Sequence, residues 1–274
     1  MLTKTQITDL GKKEGFYLKK RLGQNFLIDK NAREKIIRLL GIEANDVILE
    51  IGAGLGALTE ALAREGGFVY AIEIDKKLAL NLKKILKSAK NLEIINEDFL
   101  KFDIRRLSFK GIKIVGAVPY YITTPIIQKI IEFKDRVDTA FITVQKEVAH
   151  RMNAVPGNKD YGAFSLFLQY HCDIEILLDI NRGVFFPRPE VDSSLVKLKL
   201  LKEPPIKVRD ENTLNKVIRS AFLQRRKMLS SALSHKEALG MKKAEIIDVL
   251  KGLGIDPKNR SEAISLVDYG KIAD

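Results

Sequence analysis

The run Val47-Ile48-Leu49-Glu50-Ile51 passes directly into Gly52-Ala53-Gly54-Leu55-Gly56, and a helix-compatible stretch follows at once. A near-continuous apolar run of this length suits a strand covered on both faces. Glycines at its end let the chain turn sharply into a helix while a ligand approaches the main chain closely. The same alternation continues downstream. Strands are expected at Phe68 to Ile74, Leu92 to Ile95, Lys113 to Val118 and Asp138 to Val144. Helices are expected near Asn31 to Leu40, Ala57 to Arg64, Lys76 to Lys87, Pro125 to Phe133 and Lys146 to Asn153. Apolar strands separated by helices predict an α/β, Rossmann-like fold with a mostly parallel sheet.

Two later strands, Asp173 to Ile180 and the alternating Ser194 to Leu200, follow a helical stretch near Gly162 to Tyr170 and are expected as an antiparallel edge. Beyond Pro204-Pro205 the spacing is helical, with one helix expected over Leu214 to Ser234 and another over Ala244 to Leu250. On the first of these, Val217, Ala221, Met228 and Leu229 should face a core. The organisation expected is a basic arm and covering loop at 1–30, a Rossmann-like domain at 31–203 and a small all-helical domain at 204–274.

No apolar run approaches the roughly 18 residues of a membrane span, and the N-terminus lacks the apolar centre of a secretory signal. A cytoplasmic protein without a membrane partner is expected. One cysteine and three histidines are too few for a disulfide framework or a Cys/His zinc site, so no metal is expected. The formal charge is +12, and its placement is uneven: residues 1–33 carry +5, residues 34–180 are neutral and residues 181–274 carry +7. A neutral body with basic ends suits a polyanion. A plain solubility charge is the competing reading.

Glu73 follows Gly52 by 21 residues, at the end of the next expected strand. A carboxylate there can accept both hydrogen bonds of a ribose diol, so strand, glycines, helix and acid together point to a nucleoside cofactor. NAD sites usually show G-x-G-x-x-G, whereas Gly52, Gly54 and Gly56 give the G-x-G-x-G form common where S-adenosylmethionine binds. Asp98, after the third strand, is placed where a loop could bind an adenine amine.

The segment Gly116-Ala117-Val118-Pro119-Tyr120 resembles the N-[PIL]-P-[YF] loop of amino-group methyltransferases. Three further segments carry the resemblance across the chain: Arg21-Leu22-Gly23-Gln24-Asn25-Phe26-Leu27-Ile28-Asp29, Phe185-Phe186-Pro187-Arg188-Pro189-Glu190 and Ala221-Phe222-Leu223-Gln224-Arg225-Arg226-Lys227-Met228-Leu229. With Glu50-Ile51-Gly52-Ala53-Gly54-Leu55-Gly56 they are similar to the KsgA-type small-subunit rRNA adenine N6,N6-dimethyltransferases. The resemblance implies S-adenosylmethionine as cofactor, with Gln24, Asn25 and Leu27 covering it. It places Glu50, Gly52, Gly54 and Ala117 along the cofactor, Glu73 on the ribose and Asp98 on the adenine amine. It also implies that Ala117, Val118, Pro119, Tyr120 and Phe185 form the target-base site, the two aromatic rings sandwiching a flipped adenine.

The resemblance makes the substrate 16S rRNA in the immature small ribosomal subunit, and a monomer is expected. Lys19, Lys20, Arg21, Arg219, Arg225, Arg226 and Lys227 are implied as phosphate contacts, with Lys12 and Lys13 continuing a flexible arm. One position departs from the pattern. Ala117 stands where the family has Asn and offers no side-chain acceptor, a loss worth about 10² to 10³ in rate by analogy with a missing transition-state hydrogen bond. Alternatives are a non-catalytic ribosome-assembly factor, a large-subunit rRNA dimethyltransferase of the macrolide-resistance type, and an NAD-dependent dehydrogenase. The last leaves Pro119-Tyr120 and the basic ends without a role.

Overall fold

A computed structural model of the protein describes residues 1–18, 23–118, 122–235 and 239–274. The chain divides into two compact units: Met1–Ala149 with Glu175–Lys202, and His150–Ile174 with Glu203–Asp274. In the first unit, helix α1 (Lys4–Glu14) and the short strand β1 (Phe26–Leu27) precede α2 (Lys30–Leu40). Then come β2 (Val47–Ile51), α3 (Thr59–Glu65), β3 (Phe68–Ile72), α4 (Lys76–Ile85) and β4 (Leu92–Ile95). After β5 (Ile112–Ala117) follow α5 (Thr123–Glu132) and β6 (Val137–Gln145), with α6 (Lys146–Met152) and α7 (Ala163–His171) leading to β7 (Cys172–Ile180). β8 (Phe185–Phe186) and β9 (Ser193–Leu200) complete the strands.

Seven strands form one sheet in the order β4-β3-β2-β5-β6-β9-β7, and β1 pairs with β8 in a separate two-stranded ribbon. The pairs β2·β3, β3·β4, β2·β5 and β5·β6 are parallel, while β9 runs antiparallel to β6. The expected parallel α/β sheet is therefore present. The order reverses between β2 and β5, so their carboxyl ends flank a crevice, the usual ligand position in open α/β sheets. Local chemistry fixes the helix ends nearby. Asp75 accepts from the Lys77 and Leu78 amides at the start of α4, and Asp29 accepts from the Ala32 amide at the start of α2.

Part of the N-terminal arm is helical. Residues 4–14 form a helix with a Thr3/Gln6 capping box and a left-handed Gly15 at its end. Its Ile7 is buried with Phe16, Phe26, Leu55 and Leu78, and Glu14 pairs with Lys84 at 2.7 Å. An apolar stripe on the basic segment thus finds a partner, so residues 4–14 are packed rather than loose. Lys12 and Lys13 are exposed on this helix; Lys19, Lys20 and Arg21 lie outside the described residues.

The second unit is helical around Tyr161, Leu166, Leu214, Val217, Leu229, Leu250 and Tyr269. The expected single helix over Leu214 to Ser234 is instead two, α8 (Glu211–Leu223) and α9 (Leu229–Leu233). The break arises because the chain turns to bond another segment: the Leu229 amide donates to the Asn259 carbonyl at 2.7 Å, and Met228 bridges Arg260. Met228, expected in the core, is exposed. Helices α10 (Lys243–Gly252) and α11 (Leu266–Ala273) complete this unit.

Candidate active site

A cleft of about 250 Å³ opens at the carboxyl ends of β2, β3 and β5. Its floor is the glycine turn. Gly52 and Gly54 adopt φ of 75° and 57°, a region that side chains disfavour. A Cβ on Gly54 would meet the Phe26 ring at 3.0 Å, so only glycine leaves the covering strand room to lie against the turn. The amides of Gly52 and Ala53 donate to the Ile72 carbonyl at 2.9 and 3.2 Å, fastening the turn to the end of β3.

Glu73 stands just past β3 and is buried. Its Oε2 accepts from the Gly54 amide and its Oε1 from the Asp75 amide, each at 2.8 Å. Burial raises its carboxyl above the usual range, these two amides oppose the rise, and the Asp75 charge adds to it. Glu73 therefore holds the glycine turn as well as lining the cleft, a double duty that spacing alone does not reveal.

Glu50, the penultimate residue of β2, is 3% exposed and also faces the cleft. Among the described residues its Oε2 has no hydrogen-bond partner, and neither does the nearby buried Thr59 hydroxyl. Burial pushes the Glu50 carboxyl up to about 7, and the Glu73 charge adds to the rise. An orphaned buried carboxylate is costly unless a positive group meets it. S-adenosylmethionine carries an ammonium group, a ribose diol and an adenine. The orphaned Glu50 oxygen, the glycine cradle and the Glu73 carboxylate fit those three demands of charge, close approach and polarity.

The other expected residues mostly converge. Gln24, Asn25, Leu27, Asp98, Ala117 and Phe185 all line the cleft. Asp98 is tied to its own loop, its Oδ1 accepting from the Leu100 amide at 2.9 Å. Phe185 is buried, registered against Leu27 in the β1·β8 ribbon, so it is a core residue that also presents to the cleft. Ala117 is exposed at the end of β5, and Val118 borders an adjoining recess. Pro119 and Tyr120 lie outside the described residues.

Sequence reasoning missed several lining residues. Leu2 and Ile7 wall the cleft because α1 is ordered, and Thr143 does so because β6 registers it beside Ala117. Only the N-terminal stripe had a visible signal, in the spacing of Leu2, Ile7 and Leu10. Among the described residues no group of His, Cys, Asp or Glu is arranged to hold a metal.

The basic residues divide in the second unit. Arg219 is exposed on α8, and Arg225, Arg226 and Lys227 occupy the turn between α8 and α9 rather than a helix face. Arg225 is engaged, its Nε 2.9 Å from Glu262 and its guanidinium also donating to the Lys159 carbonyl. Arg226 and Lys227 are exposed and form no ion pair among the described residues.

Residues 15–270 match the family described as ribosomal RNA adenine dimethylase. The chain is 43% identical to ribosomal RNA small subunit methyltransferase A of Lachnoclostridium phytofermentans, over 94% of this chain and 91% of that protein. It is also 43% identical to the protein of the same name from Caldanaerobacter subterraneus, over 93% and 96% of the two chains. Among solved structures, a dimethyladenosine transferase from Plasmodium falciparum aligns with a TM-score of 0.77 at 26% identity, covering 90% of this chain and 95% of the other.

Proposed function

Because the chain belongs to the ribosomal RNA adenine dimethylase family, we propose that it methylates N6 of two adjacent adenosines in a hairpin loop of 16S rRNA. S-adenosylmethionine is the cofactor, and ribosomal RNA the substrate. The observation that carries the reading is the cleft itself, with its glycine cradle and orphaned Glu50 beside the strand end that bears Ala117 and Val118. When bound, S-adenosylmethionine supplies a methyl group on a positively charged sulfur. Everything else falls to the chain. Glu50 meets the ammonium, Glu73 the ribose and Asp98 the adenine edge, while Gln24, Asn25 and Leu27 cover the cleft against water.

The target amine is a poor nucleophile because its lone pair is delocalised into the ring. Acceptors beside it draw the nitrogen towards tetrahedral geometry and orient it. The Val118 carbonyl is one such acceptor. The Ala117 side chain is not, and methylation is correspondingly slowed. Phe185 and Tyr120 provide the stacking surfaces for a flipped base. No general base is required, since methylation makes the nitrogen cationic and its proton leaves to water.

The immature small subunit, in the cytoplasm, is the proposed setting, with the protein acting as a monomer. Among the described residues no helix is long and apolar enough to cross a membrane. Incubating unmethylated small subunits with labelled cofactor is expected to give dimethyladenosine in the small-subunit RNA. Label confined to free large-subunit RNA would overturn the substrate assignment, and cofactor binding without label would favour the assembly-factor reading.

Arg226 and Lys227 are proposed to contact phosphate. Replacing both by Ala is expected to flatten the dependence of log affinity on log salt by about 2, roughly one unit per lost phosphate contact. Arg225→Ala should change that slope much less, because its charge is already spent on Glu262. Equal slopes for the double variant and the unsubstituted chain would remove these two residues from the RNA surface.

A further inference from the structure

Ala117 leaves a gap in the acceptor set, and the neighbouring strand supplies a group of the right chemistry. In the parallel β5·β6 pair Ala117 registers with Thr143, and in the antiparallel β6·β9 pair Thr143 registers with Leu195. Residues opposite one another across a sheet present side chains to the same face. Ala117, Thr143 and Leu195 therefore form one row. Two residues back along their strands, Val115 and Phe141 continue the same face into the buried core, where they pack with Leu195 and Phe185. The row is the last one before the cleft.

Thr143 borders both the main cleft and a recess of about 30 Å³ that it shares with Asn25, Ala117, Val118 and Phe185. It is 8% exposed. Its hydroxyl makes no hydrogen bond to another described residue, in contrast to Thr139 on the same strand, which donates to Asp138 at 2.8 Å. Of the other polar side chains in the recess, Asn25 is turned onto its own loop, its Nδ2 donating to the Gly23 carbonyl at 3.1 Å, and Ser193 is fully buried and already has a partner. A hydroxyl with free lone pairs in an otherwise apolar row is a hydrogen-bond acceptor waiting for an N–H.

We propose that Thr143 Oγ is the side-chain acceptor for the target amine that Ala117 cannot provide, so that Thr143 and the Val118 carbonyl together hold the nitrogen. The inference rests on the proposed methyl transfer to adenine. In that step a nitrogen–carbon bond forms as the carbon–sulfur bond breaks with its electron pair left on sulfur, and the nitrogen releases one proton to water. Thr143 takes no proton; it orients the lone pair.

The test measures the single-turnover methylation rate and cofactor affinity in five chains: unsubstituted, Thr143→Val, Thr143→Ser, Ala117→Asn, and Thr143→Val combined with Ala117→Asn, the last compared with Ala117→Asn alone. Thr143→Val replaces a hydroxyl by a methyl of the same shape and should fold. Its rate is expected to fall roughly tenfold with cofactor affinity unchanged, as for loss of one acceptor in the transition state. Thr143→Ser should stay within about threefold of the starting rate, since the hydroxyl is retained. With Ala117→Asn present, Thr143→Val should cost less than about threefold, because the acceptor is then duplicated.

An undiminished rate in Thr143→Val overturns the proposal. So does a tenfold loss that persists undiminished beside Ala117→Asn, or one that Thr143→Ser shares, since either marks a packing role. Absence of methyl transfer in every chain, Ala117→Asn included, overturns the proposed function and the Thr143 role with it.

Discussion

Substituting Ala117 by Asn is expected to raise the methyl-transfer rate about 10²-fold, roughly 3 kcal/mol of transition-state stabilisation. Ala117 is exposed at the end of β5, so the longer side chain has space and meets no packed core. The Gly52 turn lies close behind it, a Cβ at Gly52 coming within 3.4 Å of the Ala117 carbonyl, which sets the new amide beside the cofactor cradle. The gain should appear in the rate constant and leave cofactor affinity nearly unchanged, because the new bond is made to the reacting amine. Single-turnover assays on unmethylated small subunits give the answer. Equal rates for the two chains would mean that the Asn side chain is not what limits this enzyme.

Glu50→Gln separates binding from stability, and the two should move in opposite directions. The substitution keeps the shape of the side chain and removes its charge. Loss of a buried charge partner for the cofactor ammonium is expected to weaken binding by roughly 2 to 3 kcal/mol, about thirty- to 150-fold. The protein without cofactor should instead gain stability at neutral and higher pH. In the folded state burial pushes the carboxyl up to about 7, above the value of 4.5 usual for a Glu in the unfolded chain. Below pH 4.5 it is protonated in both states and imposes no penalty. As pH rises from there through 7 the fold loses roughly 3 kcal/mol from this group, and Glu50→Gln abolishes that loss.

The same titration governs the cofactor. Affinity in the unsubstituted chain should increase about tenfold between pH 6 and pH 8 as Glu50 ionises, then level off. Isothermal titration across that range, with thermal melting of both chains in parallel, checks each part. A flat pH profile, or a variant that binds as tightly as its parent, would exclude Glu50 as the ammonium partner.

The central sheet was legible because its strands are apolar runs bounded by turn residues. β2 and β4 begin and end where the sequence places them, and the glycine turn and Glu73 stand where their spacing put them. What escaped were features decided by partners distant in the chain. The break between α8 and α9 depends on Asn259 receiving the Leu229 amide, and nothing near Leu229 signals it. α1 is weakly amphipathic and basic, so its order depends on Leu55 and Leu78 rather than on its own propensity. Thr143 was invisible as a site residue because strand register, not spacing, brings it beside Ala117.

The pairing of β1 with β8 has a bearing on how the enzyme is made. Phe26 and Leu27 are held by Phe186 and Phe185, and β9, which closes the sheet against β6, follows later still. An isolated helix of eleven residues such as α1 is marginal in water. On the ribosome, α1 and β1 emerge before their partners and can only dock after Leu78, and finally Phe185, have left the exit tunnel. Cofactor binding should therefore switch on late in synthesis, which makes this cleft one of the last parts of its unit to mature.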